Sequence, residues 1–550
     1  MLKRQKYRMC VIKSIYPFTK GVRKYFIFNI FCSIFLMLTA LIVPVLYKLF
    51  IEETLLNKNI KVFAFVVCGY IVIQLVNTII SFLKYICTYT VNNKISKSIR
   101  LKILDAKLKM DFSEYSKLNI GNEKMILDDA VFKLLDFTET QSIDYLINQI
   151  KTIVLGISLI IMEWQMALLM FMMIPITYLI NNHNAKLSKE NNNLLWINNE
   201  VWSNWIYDSS VSWREIRALR MEDKCQNIFD KCSDVYQNLF RRCNQLWVTR
   251  HFIIPKIKDE FLMQFIMYFL GGLAIYYGYI SIGTLLIFAQ YYNQLTESLQ
   301  TVVSTDNDLQ INTISYDKAL DAIKFADKLE IKKSVIINDY KIELNNVSFR
   351  YNESDNYILK DFSLVINPGD KIGIVGESGR GKTTLLKLMI GLVKPTEGNV
   401  CFGGYNIEDI NIIDVHKKIG VVFQNNNLFN TTIKENLLYA KEDASDEEIS
   451  EACKKACIDD FIDSLPDKYE TVVGERGIKL SGGQKQRIVL ARLFLLDVDV
   501  FILDEATSAM DQYSECLIQD SIESCGKEKT VIVISHRENS LKLCQRIVNL

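Results

Sequence analysis

The sequence predicts a multi-domain membrane protein: an all-α first half of six membrane-spanning helices, then an α/β second half built around a phosphate-binding loop. Three observations predict it. Two runs, Phe26 to Val45 and Val62 to Leu83, carry no charged residue, and each can cross the roughly 30 Å hydrocarbon core of a bilayer. A third uncharged stretch, Phe261 to Thr296, is too long for one span. Between Gly376 and Thr383 lies the glycine-rich loop Gly376-Glu377-Ser378-Gly379-Arg380-Gly381-Lys382-Thr383, preceded by an apolar strand-like run.

In chain order, the first two uncharged runs give helices at about 22–49 and 61–86. A fainter pair is expected at about 140–162 and 165–183, flanking Glu163-Trp164-Gln165, with Lys151 and Pro175 inside the apolar runs. The long stretch is broken at Gly278-Tyr279-Ile280-Ser281-Ile282-Gly283, so it reads as a tight hairpin of spans at about 255–278 and 281–300. A buried soluble helical core is disfavoured by runs this long and free of charge.

Basic residues set the expected topology. Residues 1 to 24 contain Lys3, Arg4, Lys6, Arg8, Lys13, Lys20, Arg23 and Lys24 and no acidic residue, which keeps that end in the cytosol. The first apolar run exceeds a secretory signal core, and no small-residue cleavage site follows it. The short loop with Glu52, Glu53 and Lys58 is expected outside, and six spans return the second half to the cytosol. Two polar stretches, about 84 to 144 and 181 to 260, are too long for unstructured loops and read as helices continuing into the cytosol. The membrane domain is expected over 1–300, a linker over 301–340, and the second domain over 341–550, starting at Ile342-Glu343-Leu344.

The glycine-rich loop fits the pattern G-x-x-x-x-G-K-[ST] in the right context. Lys371-Ile372-Gly373-Ile374-Val375 before it reads as a buried parallel strand, and Thr384 to Ile390 after it has helix-forming composition. Such a loop wraps phosphates whose charge rests on a helix N-terminus. Lys382 would reach the β- and γ-phosphates and the Thr383 hydroxyl would ligate Mg²⁺. Val500 to Leu503 reads as a second central strand, ending in Asp504-Glu505. Asp504 is placed to hold Mg²⁺ through water, and Glu505 to polarise the attacking water as general base. A bare acidic pair after a strand is usually a solvated turn; the upstream loop favours the catalytic reading. His536 follows a third apolar run, Thr530 to Ile534, and is read as a γ-phosphate contact. Gln424 ends the run Val421-Val422-Phe423 and is read as facing metal and water. Together these define an α/β P-loop NTPase domain.

With those residues in hand, residues 341 to 550 resemble the nucleotide-binding domain of an ATP-binding cassette (ABC) transporter. The whole chain resembles an exporter-type half-transporter, a transmembrane domain fused to that nucleotide-binding domain. Leu480-Ser481-Gly482-Gly483-Gln484 resembles the family's signature sequence. The resemblance implies that Ser481, Gly482, Gly483 and Gln484 close on ATP held by the phosphate loop of an opposite domain. It implies that Tyr351 stacks on adenine, and that Gly376, Glu377, Ser378, Gly379, Arg380, Gly381, Lys382, Thr383 and Thr384 contact the nucleotide. Gln424 matches the glutamine linking the ATP site to the membrane domain, and Ser508-Ala509-Met510-Asp511 the loop joining two sites across a dimer. Thr471-Val472-Val473-Gly474-Glu475-Arg476-Gly477 looks like a segment that exporters place against their membrane helices. Asp111 to Gly121 and about Trp205 to Ile216 occupy the places of coupling helices, and Trp202, Trp205 and Trp213 there read either as docking anchors, the favoured reading, or as ordinary helix packing. Gly271-Gly272 and Ser281 to Leu285 resemble the fifth and sixth spans of exporters.

The chain departs from the family pattern in places. Arg380 replaces a small residue of the phosphate loop and either adds charge near the phosphates or points to solvent; Met510 replaces a leucine at little cost. Arg546 to Leu550 looks like the start of a strand where the family commonly runs on through a hairpin and helix, leaving an exposed sheet edge. A naturally short variant and a truncated chain both fit.

A net charge of +1 gives no case for nucleic-acid binding. Thirteen cysteines scatter without C-x-x-C pairs, and Cys453 and Cys457, a helical turn apart, lack histidine partners, so free thiols fit better than disulfides or zinc. A bias to Asn, Ile and Lys suggests an AT-rich bacterial genome. The expectation is thus a multi-pass protein of the bacterial cytoplasmic membrane that exports a peptide, lipid or amphipathic small molecule, with ATP and Mg²⁺ as cofactors. Its partners would be a second transporter half, identical or different, and the lipid bilayer. A cytosolic ATPase of translation or DNA repair is opposed by the spans. A cargo-trimming peptidase exporter is opposed by the short N-terminal segment, whose Cys10 has no nearby histidine. An ATP-gated channel or regulator remains the alternative, because the motifs report nucleotide chemistry and not what crosses.

Overall fold

A computed structural model describes the chain except residues 1, 57–59, 117, 119, 329–331, 353–355, 378, 425 and 507–511. It divides into two compact units: Met1–Met110 with Lys117–Leu329, and Asp111–Ser116 with Glu330–Leu550.

The first unit is helical. Arg23–Leu49 and Ile60–Leu108 form long helices where the first two apolar runs lie, and the second runs for 49 residues. At about 1.5 Å per residue it outreaches a bilayer core, as the polar continuation in its sequence demands. Ser142–Phe171 is helical except at Glu163, whose φ of −154° and ψ of 90° kink the run where the sequence places a turn. Met173–Val211 and Glu222–Val248 form the next long pair. After π-helical turns over Lys256–Met263 come Gln264–Tyr276, a break at Gly278, and Ile282–Ile311, capped by Ser281, whose hydroxyl accepts from the Thr284 amide. Gly271 lets these last two helices approach: a Cβ there would meet the Leu285 side chain at 2.3 Å.

Three helical runs among the described residues, Arg23–Thr54, Ile60–Leu108 and Asn122–Phe171, are long and apolar enough to cross a membrane. In Ile60–Leu108 only 6% of the apolar window is buried. An apolar surface of that size is unfavourable in water and fits a lipid environment. The unit's own core is built from Leu155, Leu159, Met267, Phe288, Tyr292 and Leu295, with a second cluster around Ile95, Leu134, Phe137 and Tyr316. The Tyr291 hydroxyl and the Gln294 amide nitrogen donate to the carbonyls of Leu41 and Ala40, so these donors are paired inside the bundle.

Two readings are corrected here. Residues 301–328, expected as linker, are helical: Ile282–Ile311 continues past the expected end of the sixth span, and Thr313–Lys328 buries Tyr316, Ala319, Leu320 and Ile323 in the first unit. The buried residues of Thr313–Lys328 recur on one face, and the polar residues of the other face lower the apolar density of the stretch. Of the two readings of Trp202 and Trp205, helix packing describes their contacts and the favoured docking reading does not: both pack on Phe229 and Trp202 also on Tyr236. Trp213 starts the short helix Trp213–Ala218 and is 64% exposed.

The second unit holds two sheets. Strands β1 (Ile342–Phe349), β2 (Leu359–Ile366), β4 (Glu397–Phe402) and β5 (Tyr405–Asn406) make an antiparallel sheet ordered β2-β1-β4-β5. Strands β3 (Lys371–Val375), β6 (Ile419–Val422), β7 (Val500–Asp504), β8 (Thr530–Ile534) and β9 (Arg546–Asn549) make a parallel sheet ordered β6-β7-β8-β3-β9. β7 and β8 are buried throughout, as unbroken apolar runs in a parallel sheet must be. β9 forms the edge, paired only with β3 in this order.

Residues 111–116, within one expected coupling segment, belong to this second unit. They carry the short helix Phe112–Tyr115; the Phe112 amide donates to the Leu392 carbonyl (3.3 Å) and Asp111 pairs with Lys394. Phe112 packs against the core beneath the sheet.

Candidate nucleotide site

Three neighbouring strands of the parallel sheet end together. Ile374 of β3 pairs with Ile534 of β8, and Ile534 pairs with Asp504 of β7. The residues that follow, the glycine-rich loop, Ser535-His536 and Glu505, therefore leave the sheet at one level. On the far side of β7, Val422 pairs with Leu503, which brings Phe423-Gln424 to the same rim. Carboxyl ends of parallel strands are where such sheets place ligands.

The loop turns from β3 into the helix Lys382–Met389. Gly379 (φ +85°) and Gly381 (φ +97°) adopt left-handed backbone that a side chain would strain, and a Cβ on Gly381 would lie 2.8 Å from Ile358. Gly381 is the helix N-cap and offers no side-chain cap, so the first helical amides are left for a ligand. Gly376, Gly379, Glu377 and Arg380 surround that rim; Arg380 pairs with Glu377 at 3.4 Å and both side chains are mostly exposed. Of its two readings, the solvent-facing one describes Arg380. Thr383 is exposed, whereas Thr384 is buried, its hydroxyl 3.4 Å from that of Tyr351. Ser378 and Ser508–Asp511 lie outside the described residues.

Lys382 is only 8% exposed. Its ammonium donates to the carbonyls of Gly376 (2.6 Å) and Glu377 (3.1 Å) and meets His536 Nε2 at 2.6 Å. His536 Nε2 lies 4.0 Å from a Glu505 oxygen, and the Gln424 amide donates to the other at 2.7 Å. Lys382, His536, Glu505 and Gln424 thus form one chain of contacts across four strand ends. Glu505 has φ +48°, unusual for a non-glycine residue and common where a site fixes the backbone. Its amide continues the ladder to the Ile534 carbonyl at 2.9 Å.

Asp504 is 3% exposed. Burial first, and the Glu505 charge second, push its carboxyl up to about 6, against the pull of Lys382. Its ionised form is therefore disfavoured in the folded, ligand-free protein. The stability lost is complete above about pH 6 and absent below the unfolded carboxylate pKa of about 3.9. Asp504→Asn is accordingly expected to stabilise the ligand-free protein at pH 7 by up to about 3 kcal/mol, read as a raised thermal midpoint. That advantage should shrink as pH falls from 6 to 4; a pH-independent difference in thermal scans would remove the ionisation argument.

Ser481-Gly482-Gly483-Gln484 is a preformed helix start. Ser481 caps Gly482–Leu495 in a capping box, its hydroxyl accepting from the Gln484 amide while the Gln484 side chain accepts from the Ser481 amide. Among the described residues these contacts are internal to the loop and do not reach the phosphate loop of the same chain. Tyr351, at the end of β1, is 45% exposed and packs edge-on to Phe349.

Sequence reasoning missed two neighbours. Lys387 lies 5.9 Å over the Tyr351 ring and 4.3 Å over that of Phe112, joining the rim to residues 111–116. Glu515, 3% exposed, receives Ser540 (2.9 Å) and Arg537 (3.4 Å) and fixes the segment after His536. Neither sits in a motif; only folding brings them in.

The donors available for a divalent cation, the Thr383 hydroxyl, the Gln424 amide oxygen and the Asp504 carboxylate, are hard oxygens suited to Mg²⁺. Among the described residues no cluster of three or more His, Cys, Asp or Glu could hold a metal alone. That set fits an ion completed by nucleotide oxygens.

Comparison with known proteins supplies the context. Residues 26–299 match a family model described as ABC transporter transmembrane region, and residues 359–508 one described as ABC transporter. The chain is 28% identical over 556 residues to the putative multidrug export ATP-binding/permease protein YgaD of Bacillus subtilis, covering 98% of this chain and 94% of that one. A putative multidrug export ATP-binding/permease protein of Staphylococcus aureus (strain N315) is 43% identical over 223 residues, 40% of this chain and 38% of its own. In fold, a bacterial Atm1-family ABC exporter solved with ATP bound superposes with a TM-score of 0.84 at 20% identity, over 96% of this chain and 93% of that chain.

Proposed function

The chain belongs to the ABC transporter family, a multi-pass membrane domain fused to an ATP-binding domain, and on that premise we propose the following working cycle. The protein is an ATPase that drives export. It works as a pair of halves, identical or different, in a bacterial cytoplasmic membrane, with six spans per half and the N-terminus and ATP-binding domain in the cytosol. The contact chain from Lys382 through His536 and Glu505 to Gln424 is the observation that carries the ATP-splitting part.

In this reading Tyr351 stacks on the adenine, and the loop amides with Lys382 hold the β- and γ-phosphates. Thr383, Gln424 and Asp504 hold Mg²⁺, which neutralises phosphate charge when bound. Glu505 takes a proton from the attacking water, while His536 orients the γ-phosphate and Gln424 holds the Glu505 carboxylate in place. Ser481 to Gln484 of one half closes over the nucleotide of the other, and residues 111–116 pass closure to the membrane helices. Hydrolysis then reopens the pair. The names of the relatives, multidrug export proteins, favour drugs as cargo.

Inside-out proteoliposomes containing the purified protein should accumulate an amphipathic fluorescent dye with ATP and not with its non-hydrolysable analogue. Equal accumulation under both conditions would argue for an ATP-gated channel instead.

A further inference from the structure

The start of the helix Arg23–Leu49 and the later half of Ile60–Leu108 gather basic side chains where the sequence supplies no acid. No Asp or Glu precedes Glu52, and none occurs from Thr54 to Leu104. Tyr25, packed against the cluster that contains Ile95, receives an ammonium from each helix: Lys24 lies 5.1 Å over its ring and Lys94 5.6 Å. Arg23, next to Lys24 in the chain, lies 4.6 Å over the ring of Tyr16. Arg23, Lys24 and Lys94 are exposed, and among the described residues none of them forms an ion pair. Like charges drawn to one ring repel, and the face of a ring attracts an exposed cation only weakly. An anion between the two ammonium groups removes that repulsion.

Depth decides what the anion is. Tyr85 and Tyr89 are exposed on Ile60–Leu108, following the exposed apolar Ile79 and Phe82, as in the aromatic band of a membrane interface. Lys94 lies five residues beyond Tyr89, about 7.5 Å along a helix and close to the thickness of a headgroup layer. On the other helix Ile27, Phe28 and Phe31 are exposed directly after Lys24. The two helices are in register there, since the Asn29 side-chain amide donates to the Thr88 hydroxyl at 2.9 Å, about a turn from Tyr25. Both surfaces thus change from apolar to basic at one level. A soluble phosphate would meet the charges and leave the neighbouring apolar side chains uncovered, whereas a lipid covers both.

We infer that Lys24 and Lys94, drawn together on Tyr25, bind the phosphate headgroup of an anionic phospholipid whose chains lie along the exposed apolar faces of the two helices. The inference rests on the membrane placement of these helices and not on export.

The test titrates detergent-purified full-length protein with dioleoylphosphatidylglycerol and, separately, with dioleoylphosphatidylcholine, and reads the first bound lipid by native mass spectrometry. The glycerol lipid should bind about tenfold tighter than the choline lipid. Lys24→Gln combined with Lys94→Gln should weaken phosphatidylglycerol about tenfold and leave phosphatidylcholine nearly unchanged. Lys224→Gln combined with Lys231→Gln removes the same charge from Glu222–Val248 and should change neither. If the first pair does not fold, the single variants, each about threefold weaker for phosphatidylglycerol, decide the matter. Equal wild-type affinities, phosphatidylglycerol binding that survives the substitutions at Lys24 and Lys94, or an equal loss in the Lys224 and Lys231 pair overturns the inference. Excess glycerol phosphate should leave the lipid bound; displacement would make the occupant a soluble phosphate and overturn the inference too. A protein that keeps this lipid preference but fails to accumulate dye sinks the export reading alone.

Discussion

Lys382→Ala is expected to reduce ATP turnover by about a hundredfold or more, at least about 3 kcal/mol of transition-state stabilisation. The ammonium is nearly buried, held by two loop carbonyls and the His536 ring, and aimed along the helix whose first amides are uncapped. Removing it takes away the positive charge that meets the phosphates and leaves the Gly376 and Glu377 carbonyls without that donor. Lys382→Arg should not rescue the activity, because a planar guanidinium cannot occupy a point-like ammonium position. The measurement is steady-state phosphate release from detergent-purified protein, with elution volume and thermal midpoint confirming the fold. Undiminished turnover in Lys382→Ala would remove the phosphate-loop assignment.

Glu505→Gln should behave differently: ATP stays bound, but is split about 10²–10³-fold more slowly, the loss typical of deleting one preorganised catalytic group. The amide matches the carboxylate in shape, so the left-handed backbone at Glu505 and its ladder bond to Ile534 are kept. Contact with Gln424 can also persist, since two side-chain amides pair readily. What is lost is the ability to accept a proton from water. Single-turnover hydrolysis of labelled ATP, run beside equilibrium nucleotide binding, separates the two effects. A wild-type rate in this variant would place the base on another residue. Lost nucleotide affinity would instead make Glu505 a binding group.

Together the two variants separate holding from splitting. Their spatial link runs through His536, which touches Lys382 at 2.6 Å and stands 4.0 Å from Glu505. No spacing along the chain announces that link: 154 residues separate Lys382 from His536.

The amino-acid sequence by itself determined the division into a lipid-facing helical half and an α/β half. Charge-free runs, a glycine-rich loop after an apolar strand, and an acidic pair after another are local patterns, each readable within one continuous stretch of about twenty residues or fewer. It also sufficed for the capping box at Ser481, whose partners are three residues apart. Tertiary structure decided what depends on neighbours distant in the chain. The order β6-β7-β8-β3-β9 gathers Gln424, Glu505, His536 and Lys382 at one rim, and strand order is a choice among pairings that no local period encodes. It likewise gave Trp202 and Trp205 to a helix interface and carried the helical bundle through Lys328. Burial and hydrogen bonding there are settled by surfaces that meet only once the chain has folded.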